Sequence, residues 1–213
     1  MRLLTKTAIA GGLLGIAGWI GWGLYSSRTV DTVPYEPVRV LNGYEIRRYP
    51  EAVLVETTAP SAQIAFRRLF NYITGANQRE ESIAMTAPVA TRRGETIAMT
   101  APVRTASADM STDDVRMAFY LPATYSPATA PEPVDPQVEL LTESEKVVAV
   151  DRFSWVSPDW RVRRREENLR STLERAGIDS DGDAYLLRYN DPWTPPFMRR
   201  NEIVIPIVER NGA

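Results

Sequence analysis

The sequence predicts an α+β domain, carried behind an N-terminal transmembrane helix, in which one strand–helix–strand–strand unit occurs twice. Three observations lead to this fold class. An uncharged apolar run covers residues 8–25. Two segments with helical spacing, 61–75 and 157–177, each begin at a capping serine and end at a glycine. Segments of alternating polarity lie before and after each of them, as expected of strands.

Composition restricts the function classes open to the chain. Its 213 residues are enough for one domain and an appendage. The formal net charge of -2 argues against a dedicated nucleic-acid binder, which usually has a basic face. The chain has no cysteine and no histidine, which excludes disulfides, thiolate ligands and catalysis by a Cys or His side chain.

The N-terminal segment has the length of a membrane span. Arg2 and Lys6 precede the uncharged residues 8–25, which would extend about 27 Å as a helix. Trp22 lies towards the far end of the run, where aromatic rings favour the membrane interface. We therefore expect residues 1–30 to form a membrane anchor and tether, followed by one domain over residues 31–213.

The same segment has a second interpretation, a secretory signal peptide cleaved near Gly21–Gly23. The length of the run and its aromatic end favour the uncleaved anchor. The basic start then places the N-terminus in the cytoplasm and the domain outside it, in a single-pass membrane protein. Cleavage would instead give a secreted or periplasmic protein. Gly11 and Gly15 form one G-x-x-x-G spacing, which is compatible with a homodimer but does not establish one.

The first half of the domain is predicted to begin with strands and a helix. Val38–Tyr49 alternates in polarity and contains the turn dipeptide Asn42–Gly43, and Ala52–Thr57 forms the next strand. The helix follows Ser61, a good N-cap residue, and ends naturally at Gly75.

A doubled phrase follows this helix. The seven residues I-A-M-T-A-P-V occur at Ile83–Val89 and again at Ile97–Val103, with a glycine in the spacer between them. Two short, partly irregular strands joined as a hairpin are the expected structure, because proline is tolerated only at strand edges and bulges. The small polar residues of Arg104–Asp113 predict a loop, and Val115–Leu121 predicts a further strand.

The second half is predicted to repeat the first. Pro122–Pro136 holds five prolines and is expected to be an ordered surface crossing between the halves. Lys146–Trp155 is the next strand, followed by the second helix. Ala184–Tyr189 and Glu202–Val208 are the last two strands, which completes the pseudo-two-fold repeat.

Four stretches of the sequence together resemble the SOUL family of haem-binding proteins. Besides the doubled phrase, they are Y-E-I-R-R-Y-P at Tyr44–Pro50, F-R-R-L-F-N-Y-I-T-G at Phe66–Gly75, and P-W-T-P-P-F-M-R-R-N-E-I-V at Pro192–Val204. The likeness covers residues 38–208. It implies a distorted antiparallel β-barrel flanked by two α-helices, and haem or another tetrapyrrole as the ligand.

The resemblance also implies where the ligand binds, between the first helix and the proline-rich loop before the last strand. A porphyrin needs apolar walls for its faces and cations for its propionates. The candidate wall residues are Phe66, Leu69, Phe70, Met85, Met99, Trp193, Phe197 and Met198, and the candidate cations are Arg67, Arg68, Arg199 and Arg200. Some family members are thought to ligate the iron through histidine. This chain has none, so we expect groove binding without a strong axial bond and no metal site of the protein's own.

Three functions compete at this point. The first is non-catalytic binding of haem or another tetrapyrrole by a membrane-tethered domain. The second is binding of other lipophilic or aromatic molecules, since the expected fold resembles effector-binding domains of drug-responsive bacterial regulators. The third is a protein-interaction scaffold. An enzyme is not expected, because the carboxylate pairs Glu80–Glu81 and Glu166–Glu167 lie in polar runs typical of a solvated surface.

Overall fold

The computed structural model describes residues 32–78, 95–107 and 114–208. The strands and helices, in chain order, are β1 (Glu36–Leu41), β2 (Tyr44–Tyr49), β3 (Ala52–Ala59), α1 (Ala62–Ile73), β4 (Asn77–Gln78), β5 (Val103–Ser107), β6 (Val115–Tyr120), β7 (Glu132–Pro133), β8 (Val138–Glu143), β9 (Lys146–Phe153), α2 (Asp159–Arg175), β10 (Tyr185–Arg188) and β11 (Asn201–Pro206). A single 3-10 turn covers Pro196–Met198. The α+β class is therefore confirmed.

Nine strands form one antiparallel sheet in the order β1-β2-β9-β11-β10-β5-β6-β3-β8. The predicted repeat is visible in this order. In the first half β6 pairs with both β3 and β5, and in the second half β11 pairs with both β9 and β10. The halves join where β5 pairs with β10. Each half therefore contributes a strand, a helix and two strands, related across the β5–β10 pair.

The expectation of a barrel needs correction, because the described sheet is not closed. Its edges are β1 and β8, and no ladder joins them in the described residues. The ion pair of Arg48 Nη1 on β2 with Glu145 Oε1, in the turn between β8 and β9, measures 3.1 Å and lies beside the β2–β9 ladder, where Tyr49 pairs with Lys146. It does not bridge the two edges, so the described sheet stays open between β1 and β8.

Helix α1 begins and ends as the sequence predicts. The Ser61 hydroxyl accepts a hydrogen bond from the Ile64 N–H at 3.4 Å, and Gly75 follows the helix with a φ of +121°, a conformation that favours glycine. The helix buries Leu69 and Tyr72 against β3 and β6. Helix α2 packs on β9 and β11 through Leu169 and other apolar residues. Both helices lie on the same face of the sheet, which we call the outer face.

Two predictions around the doubled phrase are wrong. Residues 97–102 of the second copy are not a strand, and Val103–Ser107, which falls largely in the expected loop, is the central strand β5. Pro102 cannot donate to a ladder, so the ladder begins only after it. Strand β5 pairs with β6 and β10. The first copy, Ile83–Val89, lies outside the described residues, and so does the predicted hairpin contact.

The N-terminal anchor also lies outside the described residues, since the description begins at residue 32. In the described part of the chain no helix is long and apolar enough to cross a membrane. The proline-rich crossing at 122–136 is confirmed as mostly irregular chain, with β7 pairing briefly with β4.

Candidate ligand-binding site

The inner face of the sheet, opposite the helices, carries charged side chains that are buried in pairs. Arg47 on β2 and Glu202 on β11 are both fully buried. Arg47 Nη1 donates to Glu202 Oε2 at 2.8 Å, and Arg47 Nη2 donates to Oε1 at 3.2 Å. Arg200 adds a second cation, with its Nε 2.9 Å from Glu202 Oε1. The Tyr189 hydroxyl donates to Glu202 Oε2 at 2.8 Å. All of these contacts satisfy the buried carboxylate.

A second cluster on the inner face has the same design. Arg104 Nη1 on β5 lies 2.8 Å from Glu143 Oε1 at the end of β8, and Lys146 pairs with the same carboxylate. The Arg104 guanidinium also lies 3.9 Å from the centre of the Tyr185 ring. Each cluster thus places two cations around one carboxylate, with tyrosine rings filling the space between.

The pKa shifts follow from these contacts. Burial by itself would raise the pKa of the Glu202 carboxyl, but hydrogen bonds from Arg47 and the charge of Arg200 hold that pKa below its ordinary value. Burial would likewise raise the pKa of Glu143, but Lys146 and Arg104 lower it overall. Both carboxylates are therefore charged and fully engaged at neutral pH. The inner face is a packed, satisfied interior.

The outer face presents a different chemistry at α1. Phe66 and Phe70 are 39% and 44% exposed, and their rings stack with centroids 5.9 Å apart. The Phe66 ring also meets the buried ring of Phe119 on β6 edge-on at 5.4 Å. This aromatic pair is anchored from below and open above, as a surface for a flat apolar ligand would be. Leu69, by contrast, is fully buried and supports the helix from within the core.

The sheet register places the loop before β11 on the same side of the molecule as this pair. Phe119 pairs with Val103, Val103 with Arg188, and Arg188 with Asn201. Neighbouring strands lie about 4.8 Å apart, so Arg188 lies about 10 Å from Phe119 across the outer face. The loop 189–200 starts immediately after Arg188. We call the strip between Phe66, Phe70 and this loop the candidate groove.

Two cavities adjoin Arg188, and neither is lined by Phe66 or Phe70. One, of about 460 Å³, runs between the helices over β5 and β10 and is lined by residues that include Ala62 of α1, Thr105, Arg188 and Val162 of α2. The other, of about 180 Å³, lies under the loop and also includes Arg188 in its lining. Ligand pockets commonly measure about 300–1,000 Å³, so the larger cavity is of the right size and the smaller one is not.

The loop itself is rigidly built and carries exposed aromatic side chains. Trp193 is 75% exposed and Phe197 is about half exposed. The Asp191 carboxylate accepts hydrogen bonds from the N–H groups of Trp193 and Thr194 at 2.7 and 2.9 Å. Arg199 donates to the carbonyl oxygens of Thr194 and Pro192. These bonds fix the loop conformation, so its rings are presented at little further entropic cost.

The four predicted cations have different roles. Arg67 is exposed, and no hydrogen bond or ion pair to its side chain is found within the described ranges. Arg68 donates to the Thr58 carbonyl oxygen at 2.9 Å. Arg199 holds the loop, and Arg200 belongs to the inner-face cluster with Glu202. Arg67 is therefore the candidate cation best placed to meet an acidic ligand group.

The three methionines predicted to line the site also differ in their surroundings. Met99 is 37% exposed and lies in the irregular chain four residues before Val103 of β5. Met198 is half-buried in the 3-10 turn of the loop. Met85 lies outside the described residues. Whether these residues contact a ligand stays a prediction.

Trp155 is a residue that the sequence reasoning missed. Its backbone has a φ of +75°, which is strained for a non-glycine residue. The Trp155 N–H donates to the Pro196 carbonyl oxygen at 2.8 Å, and its ring lies 6.4 Å from the Phe197 ring. It therefore extends the aromatic surface of the loop. The only sequence signal was an aromatic residue directly after a strand, which by itself indicates nothing special.

The described residues contain no group of three or more acidic, His or Cys side chains that could hold a metal ion. Fold and site together define a small-molecule-binding domain, with a packed inner face and an aromatic strip on the outer face. The chain belongs to the SOUL heme-binding protein family, whose pattern it matches over residues 30–206.

Individual relatives agree with this assignment. Human Heme-binding protein 2 is 30% identical over 167 residues, which cover 75% of this chain and 76% of that protein. Mouse Heme-binding protein 2 is 27% identical, with coverage of 70% and 71%. Among solved structures, the EcmrR C-terminal domain has a TM-score of 0.52 at 12% identity, covering 78% of this chain and 98% of that one. At such low identity this last likeness concerns the fold alone.

Proposed function

We propose that this protein binds haem or another tetrapyrrole in the candidate groove, without catalysis and without a histidine ligand. The observation that carries the proposal is the exposed stack of Phe66 on Phe70, which is anchored on the buried ring of Phe119. Membership of the SOUL heme-binding family supports tetrapyrroles as the ligand class.

The chemical character of the residues in the candidate groove matches such a ligand. A porphyrin has two wide apolar faces, which the phenylalanine rings and the loop rings Trp193 and Phe197 can cover. It also carries propionates at one edge, and Arg67 supplies an exposed cation on the same helix as the stacked pair. The 460 Å³ cavity between the helices is lined by Ala62 of α1 but by none of the candidate wall residues, so the proposal does not depend on it.

The iron is expected to contribute little to affinity, because the chain contains no histidine and no cysteine. Titration of the full-length protein with hemin and with iron-free protoporphyrin tests this directly. We expect the two dissociation constants to agree within about tenfold, a difference of about 1.4 kcal/mol. A hemin affinity hundreds of times tighter would show a strong axial bond from another side chain and refute the expectation that the iron contributes little to affinity.

Binding without catalysis is supported by the state of the buried carboxylates. Glu143 and Glu202 are both held in ion pairs on the inner face, away from the candidate groove, with pKa values below the ordinary range. A general acid at neutral pH would need the opposite shift. Turnover of a porphyrin or ester substrate by the purified protein would overturn this part of the proposal.

Membrane tethering through residues 8–25 remains part of the proposal on the strength of the sequence. We propose that the N-terminus is cytoplasmic and the domain extracytoplasmic. Protease added to sealed, right-side-out membrane vesicles should then digest the domain. Protection of the domain, or its recovery in the soluble fraction with a shortened N-terminus, would contradict the anchored topology.

The competing function, binding of other flat lipophilic molecules, predicts a different outcome in the same titration. Unrelated aromatic dyes should then displace bound hemin stoichiometrically from the candidate groove. Under the tetrapyrrole proposal such dyes compete only weakly, because they lack both the width of the macrocycle and its propionates.

A further inference from the structure

A further cavity lies away from the candidate groove. It has a volume of about 770 Å³ and is bordered by four separate stretches of chain. These stretches are residues 32–34, residues 50–53, Thr100, and residues 121–127. None of the residues assigned above to the candidate groove lines it. The volume falls within the range of about 300–1,000 Å³ that is common for small-molecule pockets.

The walls of this cavity are held in place by hydrogen bonds outside the main ladders. The Val33 N–H donates to the Ala101 carbonyl oxygen at 3.1 Å, and the Leu121 N–H donates to the Val53 carbonyl oxygen at 2.9 Å. The Tyr125 N–H closes a turn onto the Pro122 carbonyl oxygen at 2.9 Å. Four of the lining residues are prolines, at positions 34, 50, 122 and 127, whose φ angles are fixed by their rings. The cavity is therefore preformed, and filling it costs little ordering entropy.

The charge of the lining distinguishes this cavity from the candidate groove. Among the described residues, no lysine or arginine lines it, and Glu51 is the single formally charged residue of that lining. The rest of the wall is apolar or hydroxylic, and the ring of Tyr125 contributes an aromatic side. A tetrapyrrole with two propionates would meet a carboxylate and no cation there, which disfavours it electrostatically.

Thr100 adds one polar feature to this wall. The residue is 5% exposed, and its hydroxyl has no hydrogen-bond partner in the described parts of the chain. An unpartnered buried hydroxyl costs about 1–3 kcal/mol. The hydroxyl oxygen has almost no accessible surface, so a ligand with one hydrogen-bonding group removes that cost only by displacing the side chains that cover the oxygen.

We propose that this cavity is a second binding site, specific for an uncharged lipophilic molecule that carries a single hydrogen-bonding group. The proposal is independent of tetrapyrrole binding, because the two sites share no lining residue and differ in charge.

A matched pair of fluorescent probes tests the charge preference. N-phenyl-1-naphthylamine is neutral, and 1-anilinonaphthalene-8-sulfonate has the same ring system with one sulfonate. The full-length protein should bind the neutral probe at least about tenfold more tightly than the anionic one, a difference of about 1.4 kcal/mol. Glu51→Lys should lower the ratio of the affinity for the neutral probe to that for the anionic probe, or reverse the preference. Equal affinities that Glu51→Lys leaves unchanged would overturn the proposal.

Two alanines in the same exposed segment locate the site. Ala123 lines the cavity and Ala128 does not. Ala123→Phe should weaken binding of the neutral probe at least about fivefold by occupying the cavity, while Ala128→Phe should leave it unchanged. Hemin affinity should stay the same in both variants. Loss of hemin binding in Ala123→Phe alone would show that this cavity is the tetrapyrrole site, and the second-site proposal would be wrong.

A pair of threonines tests the hydrogen bond. Thr100 and Thr194 both carry buried hydroxyls without partners in the described residues, and only Thr100 lines the cavity. Thr100→Val should weaken binding of the neutral probe about threefold or more, whereas Thr194→Val should leave it unchanged. Neither variant should lower the melting temperature, because each removes a group that had no hydrogen bond to lose. Equal probe affinities in the two variants would remove the hydrogen-bonding group from the proposal.

Discussion

The two faces of the sheet bury and expose opposite kinds of side chain. The inner face buries Arg47 with Glu202 and pairs Arg104 with Glu143, so charge lies inside and is neutralised. The outer face leaves Phe66 and Phe70 partly exposed beside a rigid loop. Buried charge with every partner in place is a mark of structure. Exposed aromatic surface on an anchored element is a mark of binding. The comparison separates the residues that stabilise this fold from those that we propose to bind the ligand.

The largest expected effect comes from breaking the inner-face pair. Arg47→Met leaves the fully buried Glu202 with one of its two cations and should reduce the free energy of unfolding by about 3–5 kcal/mol. Arg48→Met, on the neighbouring residue, removes the ion pair with Glu145, whose side chains are 34% and 60% exposed, and should cost about 1 kcal/mol or less. Denaturant unfolding of both variants measures the contrast. Equal losses of unfolding free energy in the two variants would mean that the buried ion pair of the inner face stabilises the fold no more than the pair of Arg48 with Glu145.

A pH dependence sharpens the same contrast. The folded-state pKa of Glu143 is lowered, so its contribution to stability is present above the unfolded value, about 4.3, and is lost as the pH falls below it. Unfolding free energy between pH 5 and 3 should therefore fall with a slope of up to about 1.4 kcal/mol per pH unit for each such carboxylate.

The matched variants for this experiment come from one turn. Glu143→Gln should flatten the acid limb of the stability profile, since it removes one of the groups responsible. Glu145→Gln, at the exposed end of the turn, should leave the unfolding free energy within about 0.5 kcal/mol at neutral pH. An acid limb that keeps its full slope in Glu143→Gln would speak against the assigned ion pair.

The smallest effect belongs to the exposed cation of the outer face. Arg67→Ala should weaken hemin binding by about two- to fivefold, since an exposed ion pair contributes about 0.2–1 kcal/mol. The loss should shrink at high salt and vanish for hemin dimethyl ester, which has no propionate charge. Arg164→Ala, at an exposed arginine on α2 that lines neither cavity of the outer face, serves as the control. The same loss with the ester as with the acid would show that Arg67 does not meet a propionate.

Local signals in the sequence were enough to predict much of the fold. Ser61 and Gly75 bound α1, and Asn42 and Gly43 form a tight turn with φ angles of 48° and 88°. The two-fold repeat followed from the order of such segments. Strand β5 was missed because Val103–Ser107 is short, small and polar, and only its two neighbours in the sheet make it a strand. Closure of the sheet depends on long-range register, which local patterns do not encode.

The candidate site was predictable only in its outline. The aromatic residues of α1 stood out from their helical spacing. The separate roles of the arginines could not be predicted. Arg199 donates to backbone carbonyl oxygens and Arg200 pairs with a buried carboxylate, and only folding brings these partners together. The inner-face clusters join residues as far apart as Arg47 and Glu202. No spacing rule in the sequence connects such residues, and the same holds for the walls of the 770 Å³ cavity.

Hemin titration of a variant without the stacked pair tests the central claim most directly. Phe66→Ala combined with Phe70→Ala should weaken hemin and protoporphyrin alike, by at least about tenfold. Trp160→Ala, which removes a more exposed aromatic side chain at the start of α2, should change neither affinity by more than about twofold. Circular dichroism establishes that each variant is folded before titration. If the folded double variant bound hemin as tightly as the unmodified protein, the tetrapyrrole site would not lie on the outer face at α1.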